Sequence, residues 1–418
     1  MSHSRSRWVS CAMVTSLASL LVTSVAGVGL ARDHAPRPRA ADDGASSARA
    51  ERRPADLLAG FDPRRHELEG GVRVAALEGG RRAVLTLDAG LQAHLEGELE
   101  RYEVPRAAVV AVDPSSGRVL AYVSHASGEE DPGDLVRDAS APAASVFKVV
   151  TSAALLDAGV RPSTRVCYGG GASRLVAADL RDDARRDTRC ATLADAVGRS
   201  INAIIAKLAD RHLEPSVLTR YASAFGFGHA LPFDVPTEAS AMDIPADPLE
   251  FARTAAGFWH THLSPLHGVL LAATVAHDGV MPRISMIDRV EDANGRVLSR
   301  HHAEDFRPVI PRATARSLRE MMELTVSRGT AHGAFFDQAG NAFLPGIAVA
   351  GKTGTLTAES PYRGYTWWVG FAPAERPTIA VAALVVNSPR WRIKASYVAR
   401  EALRYYLVER PRELERGG

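Results

Sequence analysis

The chain has 418 residues, of which 46% are hydrophobic, 23% charged and 6% aromatic, a balance typical of a folded globular protein. Lysine and arginine number 50 against 48 acidic residues, so the net charge of +2 gives no basic surface for nucleic acid. We therefore expect no nucleic-acid partner.

An uncharged run, Trp8 to Ala31, follows Arg5 and Arg7 near the N-terminus. The run exceeds the roughly 20 residues that cross a bilayer as a helix, and basic residues before such a segment stay on the inner side. Its length favours residues 1–31 as a single-pass anchor in the inner membrane, with the rest of the chain in the periplasm. Small residues near the end of the run would also suit signal-peptide cleavage, so secretion to the periplasm is the alternative.

Residues 32–83 are expected to be a linker with a short N-terminal extension. Residues 32–56 are rich in Arg, Ala, Pro, Asp and Ser without an apolar period, which is typical of a flexible tether. The folded domain is predicted to begin near Val84 and to occupy residues 84–410, with a tail at 411–418.

The apolar pattern beyond Val84 predicts a helix, a hairpin, a helix-rich middle, a group of strands and a last helix. The first helix carries Leu91, Leu95 and Leu99, and the hairpin strands are Ala107–Val112 and Arg118–Ser124. The remaining predicted elements are helices at Ser145–Leu156, Leu193–Leu213 and Ser396–Leu407, and strands at Ile347–Ala350, Tyr365–Phe371 and Thr378–Val386. This order predicts an α+β fold, in which a central antiparallel sheet is built from the N-terminal hairpin and the C-terminal strands and is flanked by helices.

Cys167 and Cys190 are the two cysteines of the predicted folded domain. They could form a disulfide in an oxidising compartment, whereas two unpaired small core residues would suit the same positions. A group of histidines at 260–277 lacks a carboxylate or thiol at a recognisable ligand spacing. We therefore expect no metal site.

Ser145 and Lys148 lie three residues apart on a predicted helix, so the hydroxyl and the amine share one face. A serine hydroxyl is a weak nucleophile until a base takes its proton. Lysine can be that base if burial or a nearby cation lowers its pKa, whereas arginine stays protonated in proteins. Because a Ser-x-x-Lys pair is common by chance, it predicts a catalytic site only together with other motifs.

Two further motifs carry polar side chains. Ser200-x-Asn202 lies in the second long helix pattern, and Lys352-Thr353-Gly354-Thr355 follows the strand-like run at 347–350. On a strand that borders a cleft, lysine and hydroxyl side chains suit a carboxylate, and a glycine permits close approach of the substrate backbone.

The segment Gly346–Thr353 also satisfies the phosphate-binding pattern G-x-x-x-x-G-K-[ST]. That pattern requires a strand before the first glycine and a helix directly after the lysine. Here the central residues are themselves strand-like, and Gly354, Pro361 and Gly364 follow where the helix should be. The context therefore argues against an ATP-binding loop.

The three motifs, in this order and at these wide separations, resemble those of the transpeptidase domain of penicillin-binding proteins and their β-lactamase relatives. Four flanking segments are similar to the same family: LTLDAGLQ at 85–92, AAVVAVDPSSGRVLAYVS at 107–124, LSPLHGVLLAATVAHDG at 263–279 and WWVGFAP at 367–373. The resemblance covers residues 84–410. It implies the β-lactamase/transpeptidase-like form of the α+β fold.

The resemblance implies a peptidoglycan D,D-transpeptidase, which cross-links stem peptides through an acyl-serine intermediate and is acylated by β-lactams. The expected catalytic residues are Ser145 as nucleophile, Lys148 as general base, Ser200 as proton relay and Asn202 as a positioning group. The expected substrate-binding residues are Lys352, Thr353, Gly354 and Thr355, with the backbone N–H groups of Ser145 and Thr355 as the oxyanion hole. No metal or cofactor is implied.

Three alternatives share this fold. A D,D-carboxypeptidase would transfer the acyl group to water, and a class D-like serine β-lactamase would hydrolyse a β-lactam adduct. The E-x-x-L-N pattern of class A β-lactamases is absent from the sequence. The third alternative is a non-enzymatic wall-associated scaffold or β-lactam sensor. The implied partners are stem peptides, β-lactam inhibitors and other cell-wall synthesis proteins, with membrane contact through the N-terminal segment.

Overall fold

The computed structural model describes residues 54–128, 131–171 and 174–417. These residues belong to one compact unit. The predicted membrane anchor and most of the predicted tether lie outside the described ranges. Within those ranges, no helix combines the length and the apolar character needed to span a bilayer.

The described residues form fourteen strands and twelve α-helices. The strands are β1 (Glu67–Glu69), β2 (Val72–Ala76), β3 (Arg82–Leu85), β4 (Arg106–Val112), β5 (Val119–Ala126), β6 (Arg165–Tyr168), β7 (Arg189–Thr192), β8 (Val280–Pro282), β9 (Ile287–Glu291), β10 (Val297–Arg300), β11 (Asp305–Pro308), β12 (Ala350–Glu359), β13 (Tyr362–Ala372) and β14 (Ile379–Asn387). The helices are α1 (Pro54–Leu57), α2 (Ala89–Arg101), α3 (Lys148–Asp157), α4 (Leu193–Gly198), α5 (Asn202–His212), α6 (Pro215–Phe225), α7 (Pro248–Ala255), α8 (Pro265–Ala276), α9 (Arg312–Ser327), α10 (His332–Phe335), α11 (Ala395–Arg404) and α12 (Arg410–Gly417).

The central sheet has five antiparallel strands in the order β12-β13-β14-β4-β5. The pairing of β14 with β4 joins the C-terminal strands to the predicted N-terminal hairpin, with Leu384 opposite Ala108. β12 lies at one edge, so one row of its backbone groups is free to face a ligand. The predicted α+β fold, with its antiparallel sheet built from both ends of the chain, is confirmed.

Helices cover both faces of this sheet. β4 and β14 are nearly unbroken apolar runs because each is buried on both faces. One face packs against α8, all of whose residues are buried, and Gly268 permits the close approach, since a Cβ there would lie 3.2 Å from the Cβ of Ala382. The other face packs against α2 and α11.

A second antiparallel sheet has the order β1-β2-β3-β9-β10. It shows that regular structure begins well before Val84, where the sequence pattern placed the start of the folded domain. Ala75 and Leu77 are buried and belong to the main core. The pattern missed β1 and β2 because both are short, and all of β1 and both ends of β2 are exposed, which leaves no clear apolar alternation.

The first predicted helix is confirmed as α2. Asp88 caps it by accepting a hydrogen bond from the Leu91 backbone N–H at 2.9 Å. The single helix predicted over Leu193–Leu213 is wrong, because α4 ends at Gly198 and α5 begins at Asn202. The strand predicted at Ile347–Ala350 is wrong except at its last residue, where β12 begins.

The hairpin of β6 and β7 carries a disulfide between Cys167 and Cys190. Lys207 of α5 lies beneath this hairpin, with its side chain only 1% exposed. Its ammonium group donates hydrogen bonds to the Cys167 carbonyl at 2.9 Å and to the Asp187 carboxylate at 2.5 Å. The hairpin is therefore fixed to α5, which leads into the region of the predicted motifs.

Candidate active site

The structure brings the three predicted motifs together at one cavity. The cavity has a volume of about 360 Å³ and lies at the edge strand β12. Its lining includes the predicted residues Ser145, Ser200, Asn202, Thr353, Gly354 and Thr355. Lys148 and Lys352 are fully buried behind the cavity wall. Ser145 and Thr355, whose backbone N–H groups are the expected oxyanion hole, line the same cavity.

Ser145 lies in a turn of 3₁₀ helix, Ala144–Phe147, that leads directly into α3. Ala144 has a φ of +49°, a left-handed conformation that costs energy in a residue with a Cβ atom. Gly257 packs against this turn, since a Cβ there would lie 2.3 Å from the Ala144 carbonyl oxygen. The Ala143 N–H also donates to the Thr261 carbonyl at 2.9 Å, so neighbouring chain segments hold the turn that carries Ser145 in place.

The Lys148 Nζ atom lies 2.6 Å from the Ser145 Oγ atom and contacts two further oxygen atoms. It donates to the Asn202 Oδ1 atom at 2.6 Å and to the Ala256 carbonyl at 2.7 Å. Burial disfavours the charged amine and, with repulsion from Lys352, lowers the pKa of Lys148 well below its usual value. This amine is poised to be neutral beside the hydroxyl.

Ser200 lies between α4 and α5, with a φ of +56°, and its hydroxyl faces Lys352. The Lys352 Nζ atom donates to the Ser200 Oγ atom at 3.1 Å and to the Thr353 carbonyl at 2.9 Å. Burial lowers the pKa of Lys352 to about 7. The helix break therefore aims Ser200 at the lysine of the third motif.

The edge strand β12 closely approaches the turn that carries Ser145 at Gly354. A Cβ at this position would lie 3.2 Å from the Cβ atoms of Ala144 and Trp367, so a side chain would crowd the turn that carries Ser145. The Trp367 Nε1–H group donates to the Pro142 carbonyl at 2.9 Å and fixes β13 to the segment before Ser145.

Sequence reasoning missed several residues at this site. The Ala256 carbonyl accepts a hydrogen bond from Lys148. The hydroxyl groups of Thr330 and Thr353 share a hydrogen bond of 2.5 Å. Lys394 and Ser396 line the cavity. Gly329 marks a turn before Thr330, but neither it nor any spacing assigns a role. Backbone carbonyls leave no sequence signal, and the segment at 388–396 reaches the cavity only through tertiary packing.

Two other sequence features, the phosphate-loop pattern and the histidine group, have defined places in the fold. Lys352 and Thr353 lie within β12, which continues to Glu359, so the phosphate-loop arrangement of strand, loop and helix does not occur. The histidines have separate roles: His260 contacts the Glu250 carboxylate at 3.0 Å, and His267 contacts the Phe225 carbonyl at 2.9 Å. Among the described residues, no group of three or more His, Cys, Asp or Glu side chains is arranged to hold a metal ion.

Comparison with protein families gives a match over most of the chain. Residues 107–404 match the model of the penicillin binding protein transpeptidase domain. This range includes the cavity residues and all five strands of the central sheet except the first residue of β4.

Two curated relatives are similar at low identity. The chain is 26% identical to peptidoglycan D,D-transpeptidase PbpA of Mycolicibacterium smegmatis over 321 residues, which are 67% of this chain and 62% of that protein. It is 27% identical to stage V sporulation protein D of Bacillus subtilis over 330 residues, 72% of this chain and 49% of that protein. The chain thus spans between 49% and 62% of the length of these relatives.

Solved structures share the fold. The crystal structure of PBPA from Mycobacterium tuberculosis has a TM-score of 0.64 at 23% identity and covers 76% of this chain and 80% of that chain. The penicillin G acyl-enzyme complex of penicillin-binding protein A from M. tuberculosis has a TM-score of 0.62 at 23% identity, with 77% and 80% covered.

Proposed function

Because this chain belongs to the penicillin-binding protein transpeptidase family, we propose that it is a peptidoglycan D,D-transpeptidase that cross-links stem peptides ending in D-Ala-D-Ala. We assign this activity to residues 84–410 and the catalytic roles to Ser145, Lys148, Ser200 and Asn202. The same serine is the site of acylation by β-lactams.

The contacts of Lys148 carry this proposal. A neutral amine has two N–H bonds and one lone pair, whereas carbonyl oxygens can only accept. If the two N–H bonds satisfy the Asn202 and Ala256 carbonyl oxygens, the lone pair is left facing the Ser145 hydroxyl 2.6 Å away. Full burial favours this neutral form. Lys148 can therefore take the Ser145 proton as general base.

The acylation step then follows. The Ser145 Oγ atom bonds to the carbonyl carbon of the penultimate D-Ala as its proton moves to Lys148 Nζ. The N–H groups of Ser145 and Thr355 are the proposed donors to the oxyanion. Breaking of the C–N bond releases D-Ala: Ser200 donates its hydroxyl proton to the leaving amine and regains a proton from Lys148, which returns to its neutral form. The Ser200 hydroxyl is free to donate because Lys352 donates to its oxygen.

The second half of the reaction transfers the acyl group. The amine of a neighbouring stem peptide attacks the acyl-serine carbonyl, Lys148 takes the excess proton of that amine, and the C–O bond to Ser145 breaks. The serine recovers its proton and a new amide joins the two peptides. Lys352, Thr353, Gly354 and Thr355 are proposed to hold the donor peptide along the edge of β12.

We also propose that the N-terminal segment places this domain on the periplasmic side of the inner membrane. The hydropathy of residues 8–31 supports this location, and so does the disulfide between Cys167 and Cys190, since disulfides persist in oxidising compartments. Membrane fractionation with an alkaline wash tests the anchor, because a cleaved and secreted protein would remain in the soluble fraction.

A fluorescent penicillin tests the catalytic proposal. The purified full chain should form a covalent adduct at Ser145 that survives denaturing electrophoresis. The Ser145→Ala variant should remain folded and give no adduct. Labelling that persists in Ser145→Ala would contradict the assignment of the nucleophile.

The fate of the adduct separates the alternatives. A transpeptidase without an acceptor should hold the penicilloyl group for many minutes, whereas rapid hydrolysis would indicate a β-lactamase. Incubation with a stem-peptide donor and an amine acceptor should yield the cross-linked amide. Release of D-Ala without that amide would indicate a carboxypeptidase.

A further inference from the structure

The catalytic cavity extends past the three motifs to the end of the segment between β14 and α11. Lys394, the N-cap of α11, and Ser396, in its first turn, line the cavity together with Thr353, Thr355 and Thr366. None of the three motifs includes Lys394 or Ser396. Thr355 and Thr366 are direct cross-strand partners, so their side chains lie on the same face of the sheet.

Hydrogen bonds hold this segment in place. The Asn387 side chain donates to the Ile393 carbonyl and accepts from the Arg392 N–H, both at 3.1 Å. The Ala395 N–H donates to the Thr366 hydroxyl at 3.1 Å. Lys394 is thus presented from a fixed backbone, which reduces the entropy that binding must overcome.

The Lys394 ammonium also lies 5.7 Å from the centre of the Trp391 ring. The Trp391 Nε1–H group donates to the Tyr362 hydroxyl at 2.7 Å, which orients the ring. A cation over an aromatic face is stabilised without neutralisation of its charge. The ring therefore positions the ammonium and leaves it available to an anion.

Within the described part of the chain, Lys394 forms no ion pair and Ser396 has no side-chain hydrogen bond. Ser396 is only 9% exposed, yet its hydroxyl borders the cavity. This hydroxyl is therefore available to a ligand in the cavity. The first N–H groups of α11, a ten-residue helix, add a positive electrostatic contribution at the same place.

The other two lysines of the site are less able to neutralise a bound anion. Lys148 and Lys352 are both fully buried and engaged with protein oxygens. Burial lowers the pKa of Lys352 to about 7, so a substantial fraction of this amine is neutral at neutral pH. Lys394 is exposed, and it is the cation that borders the cavity on the side of the threonine hydroxyls.

We propose that Lys394 and Ser396 form an anion subsite that binds the terminal carboxylate of the donor peptide, beside the hydroxyls of Thr353 and Thr355. This inference rests on the proposed acyl transfer to Ser145. It makes Lys394 a residue that selects donors with a free carboxylate on the leaving group.

Two thioester acyl donors test this subsite. One has a leaving group that ends in a carboxylate, and the other is its methyl ester. The ratio of their second-order acylation rate constants, measured with the purified full chain, reports the selection for the carboxylate. In Lys394→Met this ratio should fall about fivefold, the size expected for one partly exposed ion pair.

Matched variants distinguish the effect of the Lys394 charge from structural effects of the substitution. Lys394→Arg keeps the cation and should keep most of the ratio, and Ser396→Ala should lower it. Arg390→Met removes another exposed cation from the same segment, outside the cavity, and should leave the ratio unchanged. Added salt should lower the ratio in the unaltered chain more than in Lys394→Met, because salt screens an exposed pair.

An unchanged ratio in Lys394→Met, or an equal fall in Arg390→Met, would overturn the subsite. If neither donor acylates Ser145 in the unaltered chain, both the subsite and the proposed function fail. If both donors acylate Ser145 but the ratio is close to one, only the subsite fails.

Discussion

Four of the 50 basic residues in this chain are lysines, and the structure gives each a distinct setting. Lys148 and Lys352 are buried beside the cavity, Lys394 borders it, and Lys207 joins α5 to the disulfide hairpin. A compact amine can lose its proton when buried, whereas a guanidinium cannot. The presence of lysine at the two buried positions of the cavity is therefore consistent with the proposed chemistry.

Lys148→Arg should lower the rate constant of acylation by penicillin by about a hundredfold or more, the usual scale for loss of a general base. The variant keeps a cation, but arginine stays protonated and cannot take the Ser145 proton. Stopped-time fluorescent penicillin labelling measures the rate constant, and a thermal melt reports whether the variant is folded.

Lys207→Arg is the matched control, since it makes the same change at a buried lysine outside the cavity. It should retain acylation, because arginine can also pair with Asp182 and Asp187. A folded Lys148→Arg variant with nearly normal acylation would contradict the role of Lys148 as base.

At the scale of elements, the hairpin of β6 and β7 holds the start of α5, where Asn202 lies. Its disulfide closes a loop with a sequence separation of 23 residues. The hydrogen bond from Lys207 holds the pKa of the Asp187 carboxyl below its usual value, so this carboxylate is charged at neutral pH. The disulfide thus closes the hairpin itself, and the ion pair with Lys207 attaches the hairpin region to α5.

Loss of the disulfide should lower the free energy of unfolding by about 3 kcal/mol, the chain-entropy value for a loop of this size. Urea unfolding of the Cys167→Ser/Cys190→Ser double variant measures this change. Acylation by penicillin should persist in the folded variant, because Lys207 still joins the hairpin to α5. Dithiothreitol should destabilise the unaltered chain and leave the double variant unaffected; equal effects on both would argue against the disulfide.

The elements with strong apolar patterns were predictable from the sequence, whereas the break between α4 and α5 at Ser200 was not. The hairpin and α2 follow from periodicity and from the cap at Asp88. The interruption at Ser200 was missed because apolar residues continue at helical spacing on both sides of it. Its cause is tertiary: Gly198 packs against α9, where a Cβ would lie 2.8 Å from the Leu324 Cβ, and its carbonyl accepts from the Thr330 N–H.

At the site, too, the residues that belong to local motifs were predictable from the sequence, and those brought in by tertiary packing were not. The motif residues Ser145, Lys148 and Lys352 could be found because their chemistry requires particular side chains at short spacings. The contribution of Ala256 could not be found from the sequence, because it comes from a backbone carbonyl. Lys394 could not be found either, because it belongs to a segment without a motif. Both reach the cavity through packing of elements that are distant along the chain.

At the scale of the whole molecule, the two sheets meet at the segment before β9. The Ser285 N–H donates to the Gly117 carbonyl, and the Ser285 carbonyl accepts from the Val119 N–H, both at 2.9 Å. The Met286 carbonyl accepts from the Thr86 N–H at 2.7 Å. Asp234 completes this junction by accepting from the Ser285 hydroxyl at 2.8 Å and the Met286 N–H at 2.6 Å.

Asp234 should give the stability of the molecule a measurable pH dependence. Burial raises the pKa of its carboxyl from 3.8 to about 6, despite the two hydrogen bonds that it accepts. Between about pH 4 and pH 6 the native state therefore holds this proton more tightly than the unfolded state. The contribution of Asp234 to stability is present below pH 4, falls as the pH rises through this window, and is lost above pH 6.

Asp234→Asn should remove this dependence, because the amide is neutral at every pH and can accept from the Met286 N–H and donate to Ser285. The difference in unfolding free energy between the unaltered chain and the variant should change by on the order of 3 kcal/mol from pH 4 to pH 7, in favour of the variant at pH 7. Urea unfolding across this range measures the difference. Asp243→Asn, which makes the same change at an exposed carboxyl, controls for general charge effects. If the plots of unfolding free energy against pH for the unaltered chain and Asp234→Asn run parallel across this range, the pKa of the Asp234 carboxyl is not raised in the folded state.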